Sequence, residues 1–159
     1  MLSAALLLTA VSAAHAADCN ERPAPGVDWQ RCSFDRRDLA DHTLKQALMS
    51  DASFERADLS ASDLSGVKAT HAKFISAILH GAKLDGGNFA EADFTKADLS
   101  GASLKDADLR RTHFFRANLR GADLSGARTQ GADMLNADLS GARWTDGRVC
   151  ADGSTGQCD

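Results

Sequence analysis

The chain has 159 residues, a formal net charge of −4, 25% charged side chains and 43% hydrophobic ones. This length suits a single domain, and the apolar content is too high for a disordered chain. The charge is close to balance, which favours neither a nucleic-acid binder nor a polyacid, and no apolar run reaches the roughly 18 residues of a membrane-spanning helix.

The N-terminal segment is typical of a secretory signal. Leu2–Ala14 is apolar, and Ala14, His15 and Ala16 form a small-x-small pattern, so cleavage is predicted after Ala16. No Lys or Arg precedes the apolar stretch, and a buried N-terminal helix is the alternative interpretation. With residues 1–16 as the signal peptide, the protein is expected to be periplasmic or secreted and to keep no transmembrane segment after cleavage.

The cysteines agree with export. Four remain after the predicted cleavage: Cys19, Cys32, Cys150 and Cys158. An even number of cysteines in an exported chain predicts disulfides, whereas in a cytosolic protein they would be free thiols. The count alone permits three pairings.

A five-residue repeat fills the rest of the chain. From Phe34 to Val149, Leu or Phe occupies 18 of the 24 positions spaced five apart, and Ala stands two residues before 16 of them. The unit is Ala-Asp/Asn-Leu/Phe-x-x, as in Ala97-Asp98-Leu99. Five residues turn a helix by about 500°, so the Leu and Phe side chains would form no stripe and a helix is excluded. As a short strand and a corner, each unit directs Ala and Leu/Phe inward and Asp/Asn outward.

A longer period of twenty residues sets the number of sides. We call the residue at each of the 24 positions the centre of its unit. Grouping centres that are twenty residues apart gives two nearly uniform core columns: Phe34, Phe54, Phe74, Phe94 and Phe114; and Leu39, Leu59, Leu79, Leu99, Leu119 and Leu139. A third column is Leu-rich, and the fourth is irregular. Four units therefore form one coil, and the 24 units predict about six coils. Glycines also recur at this period, at Gly81, Gly101, Gly121 and Gly141, where a corner would otherwise be strained.

The Ala-Asp/Asn-Leu/Phe-x-x pattern resembles that of the pentapeptide-repeat family over residues 32–151. The resemblance implies an all-β fold, a right-handed quadrilateral parallel β-helix. Arg37 and His42 depart from the pattern, because they occupy inward positions that are usually small. Arg37 is expected to extend out of the open end of the solenoid.

Both ends of such a solenoid need caps. We expect an N-terminal cap at 17–31, in which Val27 and Trp29 keep the repeat register, and a C-terminal cap at 152–159. Trp144 is expected to help close the last coil. Cys32 and Cys150 lie at opposite ends, beyond the reach of about 7 Å between the Cα atoms of a disulfide. The predicted pairs are therefore Cys19 with Cys32 and Cys150 with Cys158, which staple the two ends.

The sequence predicts no enzyme, no cofactor and no metal site. Histidines lack ligand spacing, and nucleotide-binding and serine-hydrolase motifs are absent from the sequence. The regularly spaced outward Asp residues are expected to bond to nearby backbone at the corners.

One corner carries a candidate partner face. The Phe column continues to Met134. The residues directly after its centres include Ile75, Phe115 and Leu135, and the next column along contains Arg36, Arg56, Lys96 and Arg116. Basic side chains beside exposed apolar ones indicate a partner or self-association face, with a homodimer as one outcome; an ordinary mixed surface is the alternative.

The favoured function is a non-catalytic exported scaffold that binds an unidentified protein or envelope component. The alternative comes from the family resemblance, since some members mimic duplex DNA, bind DNA gyrase and affect quinolone sensitivity. Such mimicry requires a strongly acidic rod. Residues 32–149 contain 16 Lys and Arg against 17 Asp and Glu, so nucleic-acid-like character is not expected.

Overall fold

The computed structural model describes residues 17–159, and the predicted signal at 1–16 lies outside the described residues. Across this described range there is no helix and no strand longer than one bridged residue. The secondary structure consists of isolated β-bridges separated by turns. The repeat is therefore built from corners joined by very short extended pieces.

Parallel pairing between residues twenty apart organises the chain. The first bridge joins Asp28 to Leu48 and the last parallel one joins Asp123 to Arg143. Each bridged residue is the outward one before a centre. The amide of the centre itself donates to the next coil, as Leu59 N–H does to the carbonyl of Ile78 at 2.7 Å. The bridges form four ladders, so one coil takes twenty residues and has four faces.

The inward side chains of successive coils stack on one another. All members of the two uniform columns, Phe34–Phe114 and Leu39–Leu139, are buried. Neighbouring Phe rings in the first column lie nearly parallel, with centroids 5.4, 5.1, 4.7 and 5.3 Å apart. These distances fall within the range of favourable aromatic pairs. The core is thus a set of columns along the coil axis.

The corners hold the backbone in the left-handed region. The third residue of each turn has a positive φ, for example 58° at Arg56 and 65° at Gly101. A hydrogen bond closes each turn, as Ala97 N–H donates to the Phe94 carbonyl at 2.9 Å. The outward Asp before the centre accepts the amide two residues later, as Asp98 does from Ser100 at 3.0 Å. This confirms the expected role of the outward Asp residues at the corners.

The N-terminal end is closed by Trp29. Its side chain is fully buried, and its ring centroid lies 4.2 Å from that of Phe34. The disulfide between Cys19 and Cys32 ties residues 17–23 to this coil. The parallel register begins at Asp28, so the first turn of the solenoid already lies within the segment 17–31.

The two large residues at inward positions of the first coil point out of the open end of the solenoid. Arg37 and His42 are both exposed. The His42 ring places Nδ1 2.7 Å from the Ala40 carbonyl oxygen. No coil lies outside the first one, so these larger side chains can leave the interior without disturbing a column.

The C-terminal end departs from the repeat after Arg143. Val149 was expected to be an inward centre, but it is 57% exposed and pairs antiparallel with Arg143. The turn before it keeps the hydrogen bond of the regular corners, from Gly147 N–H to the Trp144 carbonyl at 2.9 Å, but its positive φ (+86°) lies at Gly147, one residue later than in those corners. The chain then folds back along the last coil, and the parallel repeat ends before residue 151.

The returning tail covers part of the last coil. Thr155 pairs antiparallel with Asp138, and Leu139 N–H donates to the Ser154 carbonyl at 2.9 Å. The disulfide between Cys150 and Cys158 fixes this tail, and Trp144 packs half-buried against the core. Covering these backbone groups removes an edge to which another chain could pair.

We expect Leu99→Asp to prevent folding, because Leu99 is fully buried in its column and the variant places an unpaired charge there. The matched control is Lys83→Asp, which puts the same residue at an exposed outward position. Far-UV circular dichroism and gel filtration measure the outcome. A soluble Leu99→Asp protein with the wild-type spectrum would contradict this register.

Candidate binding face

The basic column lies along one corner of the solenoid. We use this name for Arg36, Arg56, Lys96 and Arg116, which share the corner with Ser76 and Asn136 at the two uncharged levels. All six have φ between 55° and 60°. The rigid corner therefore presents each side chain from the same backbone conformation, about 4.8 Å from the next level.

The four cations of the basic column have no ionic partner. Within residues 17–159, none of them lies within 4.0 Å of a carboxylate oxygen, and all four are exposed. Some cations on other faces are paired, for example Lys45 with Asp63 at 3.2 Å and Lys105 with Asp123 at 3.4 Å. Others in the described range are not, among them Lys68, Lys73 and Lys83. Ten Lys and Arg side chains of residues 17–159 have no ionic partner, and four of these form the row along this corner.

Ile75, Phe115 and Leu135, the apolar strip, lie beside the basic column. Leu135 is 60% exposed, and Ile75 and Phe115 are half-buried. The Arg116 guanidinium carbon lies 5.0 Å from the centre of the Phe115 ring, a cation–π arrangement. The structure thus brings together the apolar and basic residues predicted from sequence.

Asp35, an acidic residue of the same corner, is directed along the solenoid. Asp35 accepts hydrogen bonds from the Ser53 hydroxyl at 2.5 Å and from the Glu55 amide at 2.9 Å. The Ser53 hydrogen bond is the largest contribution that lowers the pKa of Asp35. Asp35 therefore joins two coils and does not neutralise Arg36.

A buried carboxylate organises a second basic cluster, on the irregular face. Asp108 is 4% exposed, and its Oδ2 lies 2.7 Å from Arg110 Nη2 and 2.9 Å from Arg128 Nη2. The side-chain hydrogen bond from Arg110 is the largest cause of the lowered pKa of Asp108. Because Asp108 and Arg128 are twenty residues apart, the sequence period alone could have placed them together.

The histidines form no metal site in the described structure. His71 lies between two carboxylates of adjacent coils, with Nδ1 3.6 Å from Asp51 Oδ1 and Nε2 3.3 Å from Glu91 Oε2. All three side chains are about half exposed. No group of three or more His, Cys, Asp or Glu residues between 17 and 159 could hold a metal ion.

The larger concavities lie where the caps meet the coils. One of about 410 Å³ contacts the Cys19–Pro23 segment, Trp29, Arg37 and His42. Another of about 430 Å³ lies between Met134, Trp144 and the C-terminal tail. For the part of the chain that the structure describes, no helix has the length and apolar character needed to cross a membrane.

The family model described as pentapeptide repeats matches eight copies in this chain, over residues 30–66, 38–74, 52–90, 77–116 and 117–143. These segments together cover more than half of the sequence. Comparison with the curated proteins gives no match.

Several solved structures are similar. A pentapeptide repeat protein from Nostoc Pcc 7120, alr5209, has 28% identity and a TM-score of 0.51 over 54% of this chain and 69% of its own. HetL, a pentapeptide repeat protein involved in heterocyst differentiation regulation from Nostoc sp. strain PCC 7120, has 25% identity and a TM-score of 0.38, covering 79% of each chain. QnrB1, a plasmid-mediated fluoroquinolone resistance protein, has 20% identity and a TM-score of 0.40, over 75% of this chain and 65% of its own.

We expect Asp108→Asn to lower the free energy of unfolding by about 1–2 kcal/mol at pH 7, because the variant loses the charge that holds two arginines. The lowered pKa means that ionised Asp108 stabilises the fold above about pH 4 and that this contribution is lost as pH falls through the folded-state pKa. Denaturant unfolding at pH 7 and pH 3 measures it. The difference between wild type and variant should shrink at pH 3, whereas Asp146→Asn, an exposed control, should change little at either pH.

Proposed function

The chain belongs to the pentapeptide-repeat family, and from this premise we propose that it is a non-catalytic exported scaffold that binds a protein partner through the basic column and the apolar strip. Members of the family serve as repeat scaffolds and binding proteins. The observation that carries the proposal is the row of four cations without ionic partners beside the half-buried Ile75 and Phe115 and the exposed Leu135. Exposed charges in an unpaired row are available to a partner.

The solenoid core supports a binding role over a catalytic one. Every inward column is filled by stacked side chains, so the faces between the caps offer binding area along their length and not a deep substrate pocket. The titratable groups with a clearly shifted pKa are carboxylates that hydrogen-bond to corners or ion pairs, and the Arg110 guanidinium paired with one of them. These shifts have a structural cause.

Export is supported by two independent features. Residues 1–16 have the composition of a signal, and both disulfides lie at solenoid ends, where they hold the caps. Disulfides persist in oxidising compartments. We accordingly place the mature protein, from Ala17 onwards, in the periplasm or outside the cell, with an unidentified protein or envelope component as its partner.

We also propose the shape of the solenoid, its number of coils, its caps and its handedness. The four ladders of bridges support a quadrilateral β-helix of about six coils, with caps near 17–31 and 152–159. Its right-handedness comes from the family.

The DNA-mimic alternative is disfavoured by charge. Duplex DNA presents dense and unbroken negative charge, and a mimic must do the same. Residues 32–149 contain 16 Lys and Arg against 17 Asp and Glu, and the basic column is opposite in sign to DNA. An exported protein would also not meet a cytosolic DNA-binding enzyme.

The intact mass of the protein from its native host tests export. We expect a chain that begins at Ala17, carries two disulfides and is therefore four hydrogens lighter than the reduced form, in the extracytoplasmic fraction. Reductant should restore the four hydrogens. A full-length, reduced protein in the cytosol would contradict export and return the DNA-mimic alternative to consideration.

Phe115→Ser tests the binding face. We expect this variant to keep the wild-type circular dichroism spectrum and to reduce recovery of cross-linked partners roughly tenfold, because an aromatic anchor is removed from the face. The control is Val149→Ser, which removes an exposed apolar side chain at the C-terminal end. Equal recovery of the same partners by wild type and Phe115→Ser would mean that the face is ordinary surface.

A further inference from the structure

An acidic column runs parallel to the basic column, two residues further along the chain. It comprises the outward residues Asp38, Asp58, Asp98 and Asp138, with Ile78 and Asn118 at the two uncharged levels. The bridges Asp38–Asp58, Asp58–Ile78, Ile78–Asp98, Asp98–Asn118 and Asn118–Asp138 hold these residues in one line. Two residues of extended chain separate the columns by about 7 Å.

The two columns match at three of the four levels that carry a cation, where we number the levels from 1 at Arg36 to 6 at Asn136, one for each coil. At level 5, Arg116 stands beside the uncharged Asn118. The cations Arg36, Arg56 and Lys96 lie at levels 1, 2 and 4. Beside them at the same levels are Asp38, Asp58 and Asp98. None of these six side chains forms an ion pair within the chain. Level 6 has no cation, and there Asp138 is already paired with Arg120 at 3.2 Å. Unpaired charges of both signs therefore occur at the same three levels.

The uncharged level between them is apolar. At level 3 the columns contain Ser76 and Ile78, and Ile75 lies next to Ser76. Ile78 is 44% exposed, which is unusual for a large apolar side chain on this solenoid. The paired levels thus flank an exposed apolar position at the middle of the face.

A partner that is negative throughout does not fit this face. A polyanion or an anionic lipid surface lying on the basic column would also meet the acidic column about 7 Å away, where it is repelled. The face suits a partner that presents both signs at the same spacing of about 4.8 Å. The chain itself carries such a surface.

We propose that this face pairs with the same face of a second copy of the chain, forming a parallel twofold dimer. A twofold axis parallel to the coil axis exchanges the two sides of the face, which carry the basic and the acidic column. It leaves each level at the same position along the coil axis. The basic column of each copy then faces the acidic column of the other. The three charged levels form six intermolecular pairs, and at level 3 Ile78 of each copy lies opposite Ser76 of the other.

Symmetry excludes the antiparallel face-to-face arrangement. A twofold axis that lies in the interface and is perpendicular to the coil axis does not exchange the two sides of the face. The basic columns of the two copies would then face each other, and so would the acidic columns. Like charges in apposition are unfavourable. The parallel dimer is isologous and closes on itself, which avoids an open polymer.

The inference rests on the proposed function, in which this corner is a binding face, and it identifies the partner as a second copy. The face is narrow, so the contact belongs with small, transient interfaces below about 1,200 Å². Exposed ion pairs are screened by salt. We therefore expect a weak dimer whose dissociation constant rises at least about tenfold between low salt and 0.5 M salt.

Charge exchange tests the pairing. Sedimentation equilibrium of the purified, disulfide-bonded protein should show a mass that rises with concentration towards twice the monomer. R56E/K96E and D58K/D98K should each remain monomeric at concentrations where wild type dimerises, because each places like charges opposite one another. Their equimolar mixture should dimerise again, since every opposed pair then joins opposite charges: at levels 2 and 4 one pair has reversed signs and the other keeps the wild-type signs.

Three controls define the interpretation. K68E/K83E makes the same change in net charge as R56E/K96E but on other faces, and it should dimerise like wild type. D58N/D98N keeps an acceptor for the corner amides and should still weaken dimerisation, which separates lost charge from lost folding. A mixture of R56E with D58K should associate more strongly than R56E with D98K, because only the first pair shares a level.

A wild-type protein that stays monomeric at low salt and high concentration would overturn the inference. An equimolar mixture of R56E/K96E and D58K/D98K that remains monomeric would overturn it as well. If the wild type is monomeric and Phe115→Ser fails to capture a partner, other than this chain, that the wild type captures, only the dimer is overturned and the proposed function stands. A charge-exchangeable dimer found in the cytosol would support the inference and contradict the exported role.

Discussion

Backbone pairing between residues twenty apart is the constraint on which the rest of the structure depends. Each centre, such as Leu59, donates its amide to the next coil, and the outward residue before it bridges to its equivalent. Each pairing is only one residue wide, so no single one defines a strand. Cooperation between neighbouring coils is what makes the repeat stable, because an isolated coil cannot bury its apolar side chains.

The same pairing turns sequence periodicity into surface pattern. Residues twenty apart are placed about 4.8 Å apart, so a column of similar residues in sequence becomes a line of similar chemistry in space. In the core this produces the Phe stack from Phe34 to Phe114. On the surface it produces the parallel basic and acidic columns, whose spacing is fixed by the backbone and not by side-chain packing.

The ends show how a repeat is terminated. At the first coil, Trp29 covers the Phe column, and the Cys19–Cys32 disulfide holds the preceding segment. At the last coil, the chain reverses near Gly147 and pairs antiparallel with the coil that it has just completed. Both devices protect backbone edges, and each uses a disulfide because a short cap buries too little apolar surface to hold itself in place.

The sequence by itself determined the repeat, the inward columns and the twenty-residue coil, since each follows from strict spacing that only one arrangement satisfies. It also determined which residues share the corner of Arg56 and Phe115. Tertiary structure alone decided that Val149 leaves the core and that the charges of Arg56, Asp58 and their equivalents at levels 1 and 4 form no ion pairs within residues 17–159. Both depend on how one particular turn or side chain meets its neighbours, and periodicity does not encode such local choices.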